Sequence, residues 1–312
     1  MTTPVVDWPA RPVSAVLVQQ VTKALTPFLR RVVRPIALRK YPSDIIKDWE
    51  FGSAQVISVA DHYILLTAAH NIRSTQYVRV GLTDHPDSVF VEEDVYWLDD
   101  ARTLAVAVGA RIKHQAADGE AQVDVDVAAI ELTQEEVERF GFEPIGAEAF
   151  APGPIKADTF AIVCGYPTAM YNTSEIGKGR VRARYMSLMT TGIDREEWMA
   201  EWSQSTHQVV RYPDREIARF RNDMMMSDVL PAPGGISGCT FWTPIIRPDE
   251  VFSSKVAAFC GIEHTHCPAR RLIVGNNADA VVNLIGSIWP ATRGVFEACG
   301  FAVQQGEFKE QK

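Results

Sequence analysis

After Pro42 the chain breaks into short apolar runs with turns between them: AQVISVADHYILLTAA, YVRVGL, SVFVEEDVYWL, TLAVAVGARI, VDVDVAAIEL and FAIVCGYP, followed much later by CTFWTPII, KVAAFCGIEH and RLIVGNN. Several are rich in Val and Ile and alternate apolar with polar residues. Branched side chains suit a pleated, half-buried surface, and alternation puts every second residue on one face, so these runs predict strands. Their close spacing predicts an antiparallel all-β sandwich or barrel.

Other stretches read differently. Residues 14–33 carry apolar residues at mixed helical spacing with Pro27 interrupting, which predicts one or two short helices packed ahead of the main fold. Between Tyr166 and Pro233, VRARYMSLMTT and HQVVRYP read as strands, IDREEWMAEWSQ as a short helix and RNDMMMSDVLPAPGG as a loop, so this region is read as carrying insertions. ADAVVNLIGSIW predicts a C-terminal helix, and QQGEFKEQK a polar tail.

Composition excludes several classes. With 46% apolar residues in 312, the chain can bury a sizeable core. A net charge of −8 argues against a dedicated nucleic-acid surface, which needs clustered Lys and Arg. No apolar run reaches membrane-span length, and MTTPVVDWPARPVSAVLVQQ lacks the charge and apolar order of a secretory signal. Five irregularly spaced cysteines, Cys164, Cys239, Cys260, Cys267 and Cys299, read as reduced thiols, so the expected address is the cytoplasm.

Nucleophilic acyl transfer needs a nucleophile, a base, a carboxylate to orient the base, and N–H groups aimed at the oxyanion. His70 ends the apolar run ILLTAA, where a strand can deliver an imidazole to a cleft edge. Asp126 stands immediately before an apolar strand, with Asp124 as a rival carboxylate two residues earlier and so on the same strand face. Ser237 lies in PGGISGC, where Gly234, Gly235 and Gly238 free the backbone to turn sharply and converge its N–H groups.

TAAH, DVAAIEL and GISG, in the order His, Asp, Ser, resemble the chymotrypsin-like (trypsin-like) serine proteases, of a bacterial, intracellular type. The resemblance covers roughly 51–289 and extends to GSAQVISVADHYILLTAAHN, similar to the hairpin bearing the family's histidine, with a turn at Ala60 to His62. FAIVCGYP and KVAAFCGIEHTH are similar to second-barrel strands, the latter to the one lining the specificity pocket. The family implies two six-stranded antiparallel β-barrels: an extension over 1–45, a first barrel over 46–150, a second over 151–290 with an insertion at 172–232, and a tail over 291–312. It also implies Ser237 as nucleophile, His70 as general base, Asp126 as orienting carboxylate, and the N–H groups of Gly235 and Ser237 as oxyanion hole. Asp126 keeps the family register, six residues before Leu132. An α/β-hydrolase elbow is excluded, since that fold places Ser before Asp and His.

The chain departs from the family at several places. Ile236 precedes the nucleophile where digestive members have an aspartate, so their activation switch has no counterpart here. Cys239 replaces the usual second glycine, either as an inert buried thiol or as a redox-sensitive one. Pro231 stands where trypsins carry their selecting aspartate, and Asp228 lies three positions earlier, so trypsin-like cleavage is not expected. His264 and His266 fall at the implied pocket wall, which suggests preference for an acidic residue at the cleavage point. The HTHC cluster matches no standard zinc spacing, and no metal or cofactor is expected.

The expected activity is therefore serine endopeptidase, with a protein or peptide substrate, no nucleic-acid or membrane partner, and a regulatory partner as an open question. The alternative is a catalytically silent protease-like module binding through its cleft or through the insertion. An esterase using the same triad is a third reading. The insertion is a candidate lid.

Overall fold

The computed structural model describes residues 15–40, 45–72, 78–84, 88–98, 111–116, 119–157, 159–200, 202–212, 236–244 and 257–303. Pro231, Gly234, Gly235, Asp228, the loop RNDMMMSDVLPAPGG up to Gly235 and most of TLAVAVGARI lie outside the described residues.

Helix α1 (Ala15–Val32) is a single helix that runs through Pro27. Val21, Leu25, Leu29 and Val32 fall on one helical face and are buried. An interior proline costs about 3 kcal/mol, and burying four such side chains at roughly 1.5–3 kcal/mol each outweighs it. The helix passes without a loop into strand β1 (Val33–Lys40). Sequence alone assigned no strand to this stretch, because Pro35 and its basic residues obscure the apolar alternation.

The first sheet then takes β2 (Glu50–Val59), β3 (His62–Ala68) and β4 (Val78–Leu82). Next come β5 (Val89–Val91), β6 (Tyr96–Trp97), β7 (Arg111–Ala116), β8 (Gly119–Asp124), β9 (Val127–Leu132), helix α2 (Gln134–Arg139) and β10 (Ile145–Gly146). Its antiparallel order is β6-β4-β1-β2-β3-β9, with β10 added parallel to β2. The β2–β3 hairpin turns at Ala60 and Asp61, with φ of 47° and 66° and Val59 paired to His62. That backbone twist matches a right-handed strand pair.

The second sheet uses β11 (Phe160–Gly165), then β12 (Arg180–Arg182), which pairs with β5 instead, β13 (Met186–Thr191) and β14 (His207–Arg211). It continues with β15 (Thr240–Pro244), β16 (Ala257–Cys267) and β17 (Leu272–Asn277), before helices α3 (Ala278–Ile288) and α4 (Arg293–Ala298). The order is β13-β11-β15-β16-β17-β14, and an antiparallel bridge between Gly192 and Val210 draws the two edges together. Strands β13 and β14 both come from the region read as insertion. Among the described residues of IDREEWMAEWSQ there is a 3-10 turn at Arg195–Glu197 in place of the expected helix, because Trp198 and Trp202 pack against the Val209, Leu272 and Val274 cluster.

The fold is thus mostly β, two curled antiparallel half-barrels with a few short helices, as expected. Each has its own apolar filling: Leu38, Val56, Leu65, Val80 and Ile130 in the first, Val163, Leu188, Phe241 and Ile273 in the second. A third cluster joins them, with Ile57, Ile64 and Leu66 of the first barrel meeting Ile162, Trp242 and Phe259 of the second under α1 and α3. This explains why β2 and β3 are buried on both faces: one face fills a barrel, the other the seam. Among the described residues, no helix is long and apolar enough to cross a membrane.

Candidate active site

His70 sits in a 3-10 turn, Ala69–Asn71, directly after β3. Asp126 lies between β8 and β9, one residue before the stretch of β9 that pairs with β3, Val127 opposite Ala68. Strand register therefore delivers both side chains to one end of the first barrel. The His70 ring Nδ1 is 2.5 Å from Asp126 Oδ2, and the His70 main-chain N–H donates to Oδ1 at 2.7 Å. Ala69 N–H also donates to the Asp126 carbonyl at 3.2 Å. An acceptor carboxylate at Nδ1 leaves the proton on that nitrogen and Nε2 free to accept. The His70 side chain is 43% exposed and that of Asp126 18%, so the acid lies behind the base.

Burial alone would push the Asp126 carboxyl up. The hydrogen bonds and charge of the His70 ring, the charge of His264 and the His70 N–H outweigh it, and the carboxyl titrates below its ordinary value. Asp124, the rival carboxylate, ends β8 opposite Arg111.

Ser237 lies on the turn before β15. Cys239 N–H donates to the Ile236 carbonyl at 3.0 Å across that turn, and Gly238 takes φ +84°, a conformation that favours glycine. Ser237 reaches the first barrel at Gly52, where an added Cβ would stand 3.2 Å from Asn71 Nδ2 and 3.7 Å from the Ser237 carbonyl. The serine turn and the histidine turn thus meet over one glycine. Among the described residues, no hydrogen bond joins Ser237 Oγ to the His70 ring, and the Ser237 N–H donates to no group.

Behind the turn, β16 carries the other residues singled out in the sequence. Gly238 N–H donates to the Glu263 carbonyl at 2.9 Å, and Glu263 N–H to the Cys239 carbonyl at 2.7 Å. Register then slips: Glu263 pairs with Gly275 but Thr265 with Val274, leaving His264 as a bulged residue. Period-two alternation would put His264 and His266 on one face; the bulge removes that equivalence. The His264 ring packs edge-on to His207, centroids 5.9 Å apart, within electrostatic reach of Asp126 and His70. Burial lowers its pKa to about 4, so it is neutral near pH 7. His266 lies farther along, paired with Ile273.

Cys239 is fully buried, with Sγ 3.6 Å from Ser53 Oγ, and burial pushes its thiol well above the ordinary range. A thiol so protonated is inert. Among the described residues, no three His, Cys, Asp or Glu side chains are grouped to hold a metal ion.

One participant escaped the sequence reading. Asn276, near the end of β17, accepts the Asp126 N–H through Oδ1 at 2.8 Å. Its only signal was an amide residue at the end of an apolar strand.

No family model matches the chain, and no curated protein matches it in sequence. Solved structures similar in fold include the HtrA-type protease AlgW with a tripeptide, at 12% identity and a TM-score of 0.40 over 90% of this chain and 65% of that one. The protease Anisep from Arthrobacter nicotinovorans shows 12% identity and a TM-score of 0.35 over 79% and 90%. A Glu endopeptidase in complex with MPD shows 11% and 0.34 over 81% and 88%. At these values the likeness carries no assignment of activity.

Proposed function

We propose that this protein is a serine endopeptidase acting through Ser237, His70 and Asp126. The observation that carries the proposal is the two-point hold of Asp126 on His70, ring Nδ1 at 2.5 Å and main-chain N–H at 2.7 Å, which fixes tautomer and orientation together. A purely structural histidine needs no such hold at 43% side-chain exposure.

In this reading His70 Nε2 takes the proton from Ser237 Oγ as the oxygen attacks the peptide carbonyl. Asp126 stabilises the imidazolium that forms. The Ser237 N–H, which donates to no group among the described residues, stabilises the tetrahedral oxyanion, with the Gly235 N–H as the expected second donor. His70 then protonates the leaving amine; it next takes a proton from water as the water oxygen attacks the acyl-enzyme ester, and returns that proton to Ser237 Oγ as the ester bond breaks and the product acid leaves. No metal or cofactor enters these steps.

Covalent labelling by a fluorophosphonate tests the proposal. Labelling of the intact protein that Ser237→Ala and His70→Ala both abolish is the expected result; absence of labelling favours the silent binding module.

A further inference from the structure

We infer that Asn276 is a positioning residue, holding from the second barrel the carboxylate that orients His70 in the first. Its catalytic consequence rests on the triad reading above; its geometry does not.

Asp126 belongs to neither β8 nor β9, so its main-chain N–H lacks a ladder partner. Its carbonyl and both carboxylate oxygens are committed to the Ala69–His70 turn. The remaining group, the N–H, is met by Asn276 Oδ1 at 2.8 Å across the barrel seam. Asn276 is fully buried, and its backbone is fixed on both sides, by His207 of β14 and Ile262 of β16. The other end of its amide donates through Nδ2 to the Thr206 carbonyl at 3.2 Å. A carbonyl can only accept, so Thr206 decides which end of the amide faces Asp126.

The next residue shows that this is more than helix capping. Asn277 performs that task separately, accepting Ala280 N–H at 3.0 Å and donating to the Gln204 carbonyl at 2.8 Å. Gln204 and Thr206 therefore brace both asparagines, and the segment before β14 supports the site from behind through Asn276.

The test is NMR of the full chain, following the His70 Nδ1 proton, which a short bond to a carboxylate moves far downfield. Asn276→Ala should broaden or move this resonance while the methyl spectrum of the core stays dispersed. If Asn276→Ala does not fold, Asn276→Ser, whose hydroxyl is too short to span both partners, should give the same change. An unmoved resonance in whichever variant folds overturns the proposal. Peptide turnover should fall about 10- to 100-fold in kcat with KM nearly unchanged, as misplacement by an ångström implies. A protein that neither turns over peptide nor takes the fluorophosphonate defeats the protease reading alone, and the His70 resonance still decides the role of Asn276.

Discussion

Glu263 donates its main-chain N–H to the Cys239 carbonyl at 2.7 Å, two residues from Ser237. Its own carboxyl is wholly buried, and neither oxygen bonds to any group among the described residues. Burial, with the Asp126 charge second, pushes this carboxyl well above its ordinary value.

A carboxyl held neutral in the fold but ionised when unfolded takes up a proton on folding. Its stabilising contribution is complete below the unfolded value, near 4.5, and is lost as pH rises towards the folded value. Glu263→Gln, isosteric and without a proton to bind, should gain on the parent by about 1.4 kcal/mol per pH unit within that window. Urea unfolding from pH 5 to 8 measures the difference, and parallel stability curves would refute it.

His264 has the opposite sign. Its folded value, about 4, lies below the ordinary 6.5, so its contribution is complete above 6.5 and lost as pH falls towards 4. That amounts to roughly 3 kcal/mol across the window. His264→Gln should flatten the acid limb of the unfolding curve, and an acid limb identical to the parent's would show that another group sets it.

Gly238 is strained for any other residue. At φ +84° an added Cβ would collide with the Ser53 carbonyl and crowd Thr67 Oγ1 at 3.0 Å. Gly238→Ala should cost about 2–4 kcal/mol and displace the Ser237 turn. Calorimetry reads the first effect and fluorophosphonate labelling the second; an unchanged melting temperature would mean the turn relaxes freely.

Helix α1 belongs to the core. Leu29 is fully buried, and Phe28 meets the Trp242 ring edge-on at 5.8 Å. Leu29→Ala should cost about 2–5 kcal/mol, the range of a cavity in a packed core. A loss under about 0.5 kcal/mol in chemical denaturation would place α1 outside the cooperative unit.

The strands with apolar alternation were legible from sequence, whereas the hairpin bearing His70 was legible through the resemblance, which set its turn at Ala60 to His62; the chain turns at Ala60 and Asp61, with His62 already paired to Val59. The meeting of His70 with Asp126 was legible only through the resemblance, since register across β3 and β9 is a long-range property. Strand β1 was hidden: pairing on both sides stabilises VRPIALRK, while Pro35 and the basic residues argue locally against a strand. The bulge at His264 and the reach of Asn276 to a residue 150 positions earlier leave no periodic signature at all. Packing and amide orientation decide them, and neither is written in local composition.

The absence of a loop between α1 and β1 has a mechanical consequence. Tension applied through the helix passes directly into a strand held by β2 along Val33 to Leu38 and by β4 along Ala37 to Lys40. Those ladders are loaded in shear, where their hydrogen bonds yield together instead of unzipping singly. The N-terminal helix is thus a handle on a strand gripped on both sides in the first barrel, and pulling there strains the sheet that carries His70.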